Sequence, residues 1–204
     1  MKTPISVVVD SFNTAEFIGE ALESALIQTR PADQIIVSDA STDGSREIIE
    51  RYAADDARIT TVFTDNRGQL ATITPGLRAA TGDIIFLLDG DDHYAPHHLE
   101  ELEKRWMRYP QTDAIYCRHR LFGEPALVDF LKSRERHETA EWLGPIDPEE
   151  LYDWGKSAAL AWCHPDYQAG GITSALSFRR TQLESLPLEE LCESTNGQLR
   201  ANAC

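Results

Sequence analysis

The run Ile84-Ile85-Phe86-Leu87-Leu88, which passes directly into Asp89-Gly90-Asp91-Asp92, constrains the fold of this chain more than any other segment. A continuous apolar run ending in acids is what a central parallel strand looks like, because such a strand is buried on both faces and has no polar side to show. The sequence before it alternates strand and helix patterns. Ile5 to Val9 is a short β-branched run, and Asn13 stands where a helix N-cap would, with Glu16 three residues later. Phe17, Ile18, Ala21, Leu22, Ala25 and Leu26 then recur at helical spacing until Arg30-Pro31 breaks the helix. Gln34 to Val37 reads as a second strand. Ser41 to Ser45 is a turn, leading to a helix with Ile48, Ile49, Tyr52 and Ala53 on one face. Residues 58–64 read as a third strand, and residues 69–80 as a helix ending at Gly82 in the C-cap position. This order predicts an α/β fold with a doubly wound, mostly parallel sheet flanked by helices, whose ligands sit at the carboxyl ends of the strands.

Beyond residue 118 the pattern degrades into helices and loops rich in charge, Trp and Pro. The expected organisation is therefore an α/β half over residues 1–118 and a smaller helical or irregular half over 119–204, within one globule. A length of 204 residues suits one such domain. The net charge of −15 argues against nucleic acid as a partner, since a phosphate backbone calls for a basic surface. No apolar run approaches the roughly 20 residues of a membrane-spanning helix. The N-terminus lacks the long apolar stretch of a signal peptide. A cytoplasmic protein is expected, with the inner membrane surface as a peripheral location open to it. Cys117, Cys163, Cys192 and Cys204 form no C-x-x-C pair, so free thiols are expected in place of a zinc ribbon or redox motif.

Two acidic groups fall where strands end: Asp39 after Ile35-Ile36-Val37, and Asp89, Asp91 and Asp92 after Leu88. In a doubly wound sheet both face the same edge. Three carboxylates within four residues repel one another unless protons or a cation neutralise them. Hard oxygen ligands suit Mg²⁺ or Mn²⁺, which take one or two carboxylates together with substrate phosphates. Such a cation also solves a second problem: an anionic substrate meeting a chain of net charge −15 needs a local reversal of the field.

The chain resembles the family 2 glycosyltransferases, which have the GT-A fold. The likeness runs from about residue 4 to residue 118. It rests on Ile5 to Asn13, the helix from Ala15 to Gln28, Ile35-Ile-Val-Ser-Asp-Ala-Ser-Thr-Asp-Gly-Ser45, Asn66-Arg-Gly68 and Thr81-Gly-Asp-Ile-Ile-Phe-Leu-Leu-Asp-Gly-Asp-Asp92, in that order. The resemblance implies a metal-dependent transfer of a sugar from a nucleotide-diphosphate-sugar donor to an acceptor hydroxyl, with inversion and with Mn²⁺ or Mg²⁺ as cofactor. It further implies that Ser11 and Phe12 line the base pocket and that Asp39 accepts a hydrogen bond from the base. Gly68 and Gln69 would run close to the nucleotide, Asp91 would contact the ribose, and Asp91 and Asp92 would hold the metal. Departures are Asp10 where many members have Pro, Ser38 where many have Asp, and Ile73-Thr74 where an Arg-Asn pair is common.

A weaker echo, Gly171-Ile-Thr-Ser174 with Ser177-Phe-Arg-Arg180, resembles the segment preceding the family's acceptor-side acid. Inverting transfer needs a carboxylate to deprotonate the acceptor hydroxyl. Glu189, Glu190 and Glu193 are the candidates, and Glu193 is the one expected to act, unless the chain stops short of its base. The acceptor, whether saccharide, lipid-linked or protein, is not specified by the sequence. Two rival readings are a non-catalytic nucleotide-sugar-binding module and a nucleotidyltransferase. The latter wants a Gly-rich, basic loop after its first strand, which Asp10 to Thr14 does not supply. Asp39, Ser41, Asp43 and Glu50 match the spacing of a calcium-binding EF-hand loop, but a strand enters this one where that motif requires a helix. His93, His97 and His98 read as surface residues at a helix start, and Trp142, Trp154 and Trp162 as packing residues.

Overall fold

In the computed structural model of the protein, residues 3–117, 173–185 and 188 are described. Four parallel strands form where the apolar runs lie. β1 (Ile5–Ser11) pairs on one side with β2 (Gln34–Asp39) and on the other with β4 (Ile84–Asp89), while β3 (Ile59–Phe63) adds outside β2. All of β1 is buried, and β4 is buried from Ile84 to Leu88, which is why neither shows polar alternation. Two further strands complete a six-stranded sheet of order β3-β2-β1-β4-β6-β5. These are β5 (Ala114–Tyr116) and β6 (Leu176–Arg179), and β6 runs antiparallel to both β4 and β5. A strand from beyond residue 118 thus lies inside the sheet, next to the strand that carries the acids.

Helices cover both faces. α1 (Ile18–Leu26), α2 (Ser45–Asp55) and α4 (His98–Arg108) bury Ile18, Leu22, Ile49, Leu99 and Trp106 against Val7, Val9, Phe86 and Leu88. α3 (Gln69–Ala79) buries Ile73 and Leu77 on the other face, against Val8, Ile36, Ile85 and Leu87. Each such side chain contributes about 1.5–3 kcal/mol when fully buried, so the alternate faces of β1 and β4 fix the register of the whole sheet. α3 sits unusually close, because a Cβ on Gly76 would lie 3.0 Å from both Ser38 Cβ and Val8 Cγ1.

Two local expectations are corrected. Asn13 does not cap α1: it adopts a left-handed backbone, with φ of 55°, five residues before the helix starts at Ile18. Its N–H donates to Ser41 Oγ at 2.8 Å and its Oδ1 accepts from Thr42 N at 2.9 Å, so it ties the β1–α1 loop to the β2–α2 loop. The chain enters α1 through the Thr14 carbonyl, which accepts from Phe17 N and Ile18 N. Gly82 is likewise no helix cap, since α3 ends at Ala79 and the next residue is extended. Glycine is required there by contact: a Cβ would stand 2.5 Å from Ser6 N and 2.8 Å from the Ile5 carbonyl carbon.

Candidate functional site

Strand register brings the acids together. Asp10 is the partner of Asp89 across β1 and β4, and Ser11 is the partner of Asp39 across β1 and β2. Carboxylates from three parallel strands therefore stand on one edge of the sheet, as the alternating pattern predicts. After Asp89 the chain turns sharply, with Gly90 N donating to Asp10 O at 2.8 Å and Asp92 N to Asp89 O at 3.0 Å. A Cβ on Gly90 would come within 2.8 Å of Thr14 Oγ1, so the turn needs glycine to lie this close to the β1–α1 loop. Asp91 is exposed and Asp92 half-buried.

The electrostatics of this edge are unfavourable without a counter-ion. Burial, and then the neighbouring Asp89 charge, push the Asp10 carboxyl up to about 7. Burial together with Asp92 and Asp91 pushes Asp89 to about 7 as well. Asp10 Oδ1 is buried with no hydrogen-bond partner. The side-chain amide of Gln69, the first residue of α3, reaches both acids: it hydrogen-bonds Asp10, and its Nε2 lies 3.4 Å from Asp89 Oδ1. Among the described residues, no three acidic, histidine or cysteine side chains are arranged to cage a metal alone. The residues that could serve a hard cation are the strand-end carboxylates, one or two at a time, with the phosphates of a ligand completing the shell.

Asp39 is fully buried and its oxygens are occupied. Ser41 donates from both its hydroxyl and its backbone N–H, and Arg46 Nε donates to Oδ2 at 3.3 Å. Arg46 also donates through Nη2 to Thr64 O at 3.0 Å and lies over the Phe63 ring, 5.2 Å from its centroid. An open cleft of about 400 Å³ lies beside this pair, lined by Ser41, Thr42, Arg46, Thr64 and Asn66 among others. Asp39 does not itself line that cleft; Arg46 and Ser41 stand between.

Of the remaining expected residues, Ser11 is buried, its hydroxyl 2.9 Å from Thr14 Oγ1, while the Phe12 ring is 47% exposed at the strand end. Gly68 takes a φ of 100°, which admits the tight entry to α3 and places Gln69 at the acids. Glu193, Glu189, Glu190 and the tryptophans 142, 154 and 162 lie outside the described residues. Asp43 serves the fold: its oxygens accept from Ser45 N at 2.9 Å and Ala15 N at 3.1 Å, which fixes the start of α2. His98 is no surface residue, because its ring stacks on Tyr94 at 4.2 Å and meets Phe86 edge-on at 5.9 Å. Burial lowers it to about 4.

Four further residues take part whose roles the sequence does not reveal. Asp10 was visible as a strand-end acid but registered only as a departure from proline. Arg46 looked like an ordinary first-turn residue of α2. Thr173 and Ser174 belong to a short 3₁₀ turn, Thr173–Ala175, that packs on β4; both reach the Asp89 carboxyl, and Ser174 also bonds Asp92.

Comparison with known proteins agrees with this geometry. The profile of the family described as Glycosyl transferase family 2 matches residues 6–160. An uncharacterized glycosyltransferase of Nostoc sp. is 32% identical over 187 residues, covering 89% of this chain and 52% of that protein. The chain thus spans about half the length of that relative. Among solved structures, a mannosyltransferase from Pyrobaculum calidifontis in complex with GDP-Man and Mn²⁺ superposes with a TM-score of 0.60 at 24% identity. The match covers 92% of this chain and 47% of that one. TarS of S. aureus in complex with UDP-GlcNAc gives 0.51 at 22% identity, covering 59% of this chain and 37% of that one. At these identities the likeness establishes the fold, which is of the GT-A type.

Proposed function

The chain belongs to glycosyl transferase family 2, and on that premise we propose that it moves a sugar from a nucleotide-diphosphate-sugar to an acceptor hydroxyl, with inversion and in dependence on Mn²⁺ or Mg²⁺. The observation that carries the reading is the meeting of Asp10, Asp89, Asp91 and Asp92 at the carboxyl edge of the sheet, two of them driven to about 7 by burial and mutual repulsion. A site of that kind is stabilised by a cation, and a diphosphate brings the remaining ligands.

Asp92 and Asp91 would hold the metal, with Asp91 also toward the ribose. Bound there, a divalent cation supplies Lewis-acid stabilisation of the charge that develops on the leaving diphosphate. Gln69 would hold Asp10 and Asp89 in place beside it. The base would occupy the cleft by Ser41 and Arg46, with Phe12 exposed nearby at the end of β1. Asp39, hydrogen-bonded by Ser41 and Arg46, would orient the arginine that faces the cleft. Ser11 and Gly68 would lie close to the nucleotide. Glu193 is the candidate to take the proton from the acceptor hydroxyl. Two solved neighbours carry GDP-Man and UDP-GlcNAc, which supports a nucleotide-sugar as donor without singling out its base. Among the described residues no helix is long and apolar enough to cross a membrane. A cytoplasmic location, with the acceptor met in solution or at the inner membrane surface, accords with that.

The test is release of nucleoside diphosphate from UDP-, GDP- and dTDP-sugars in the presence of Mn²⁺. Release from one base class, abolished by EDTA, is expected. Release that persists unchanged in EDTA would remove the metal from the reading, and no release from any donor would remove the transferase.

A further inference from the structure

We infer that Ser174 is a positioning residue that fixes the carboxylate of Asp92 from the opposite side of the acid turn. The inference rests on the metal role proposed above for Asp92. The hydroxyl bonds the turn at Asp89 N, 2.8 Å from Ser174 Oγ, and at Asp92 Oδ2, 2.7 Å away, with the Asp89 carboxyl also within its reach. The direction of both is settled by chemistry. A backbone N–H can only donate, so the Asp89 amide takes a lone pair of Oγ and leaves the single hydroxyl proton for a carboxylate.

The arrangement spans 82 residues of chain, because the 3₁₀ turn Thr173–Ala175 leads directly into β6, and β6 pairs with β4 at Phe86, Ile85 and Ile84. Pairing of β6 therefore delivers the serine to the end of the strand that carries the acids. Thr173, beside it, hydrogen-bonds the Asp89 carboxyl. The consequence is a division of labour within the signature. Asp92 is half-buried and held by a hydroxyl that is itself held by the backbone of the same turn, whereas Asp91 is exposed. A carboxylate with one oxygen already hydrogen-bonded offers the other in a fixed direction, and partners of this kind commonly alter metal affinity by about 10–100-fold.

The isosteric pair Ser174→Thr and Ser174→Val tests this, since the two differ by a hydroxyl against a methyl. Mn²⁺ affinity is measured from the electron paramagnetic resonance of the free ion, with UDP or GDP present, and nucleotide affinity is measured in EDTA. Ser174→Val should weaken Mn²⁺ binding by roughly 10–100-fold with nucleotide affinity in EDTA unchanged, and Ser174→Thr should keep the wild-type value. Ser174→Ala, which adds no bulk, serves as the second hydroxyl-free variant should valine disturb folding. Wild-type Mn²⁺ affinity in Ser174→Val or Ser174→Ala, beside a loss in Asp92→Ala, would overturn the inference alone. Equal Mn²⁺ affinity in wild type and Asp92→Ala would overturn the metal role and the inference with it.

Discussion

His98 offers a quantitative handle on how the acid turn is held. Its ring stacks on Tyr94, whose hydroxyl donates to Leu87 O and so pins the end of the turn back onto β4. Burial lowers the His98 pKa from 6.5 to about 4, so the fold holds the ring neutral. Because the folded value lies below the unfolded one, the stability this provides is complete above about pH 6.5 and is lost as pH falls toward 4. At about 1.4 kcal/mol per pH unit, the full loss is about 3.5 kcal/mol, and by pH 5 about 2 kcal/mol of it is gone. Working no lower than pH 5 also avoids the isoelectric point near 4.7. The perturbation is His98→Phe, which keeps an aromatic ring on Tyr94 and cannot titrate. Urea unfolding followed by circular dichroism at pH 8 and pH 5 gives the stability of both proteins. Other titrating groups cancel in the difference between them. Wild type should lose about 2 kcal/mol relative to His98→Phe between the two conditions. A difference that stays flat would show that the ring is not buried as described.

Gly82→Ala should cost about 3 kcal/mol or more, because its Cβ would stand 2.5 Å from the backbone nitrogen of Ser6, in a strand that cannot retreat; thermal unfolding checks this. Asp10 has a folded value near 7, above its unfolded 3.8, so its contribution is present at low pH and lost as pH rises through 7. Asp10→Asn should therefore flatten the fall in metal-free stability between about pH 5 and pH 7, measured by urea unfolding, and an unchanged slope would contradict the burial assigned to it. Arg46→Ala should destabilise by about 1–2 kcal/mol, since it leaves an oxygen of fully buried Asp39 short of a donor, and it should also weaken nucleotide binding in calorimetric titration.

What the sequence revealed follows from how each element is stabilised. β1, β2 and β4 are buried on both faces, so they are written as apolar runs, and their acids fall at one edge by the parallel rule alone. β5 and β6 have three and four residues and exist through pairing with distant strands, so no local pattern marks them. Ser174 falls in a segment that the sequence marks only as a weak echo, and its contact with Asp92 exists only once β6 docks beside β4. Asn13 and Gly82 carried the right residue types for caps, but tertiary contacts with Ser41, Thr42 and Ser6 set their conformations. Asp39 was found by position, yet its environment was not, because Arg46 follows it by seven residues in a helix whose periodicity points to no site.

The acids at the end of β4 are proposed to bind a nucleotide diphosphate through a divalent cation. Calorimetric titration of UDP, GDP and dTDP-sugars into the wild-type protein and Asp92→Ala, each with Mn²⁺ and with EDTA, tests this proposal most directly. One base class should bind wild type tightly with Mn²⁺ and weakly without, and Asp92→Ala should bind weakly in both. Equal binding by wild type and Asp92→Ala with Mn²⁺ present would contradict it.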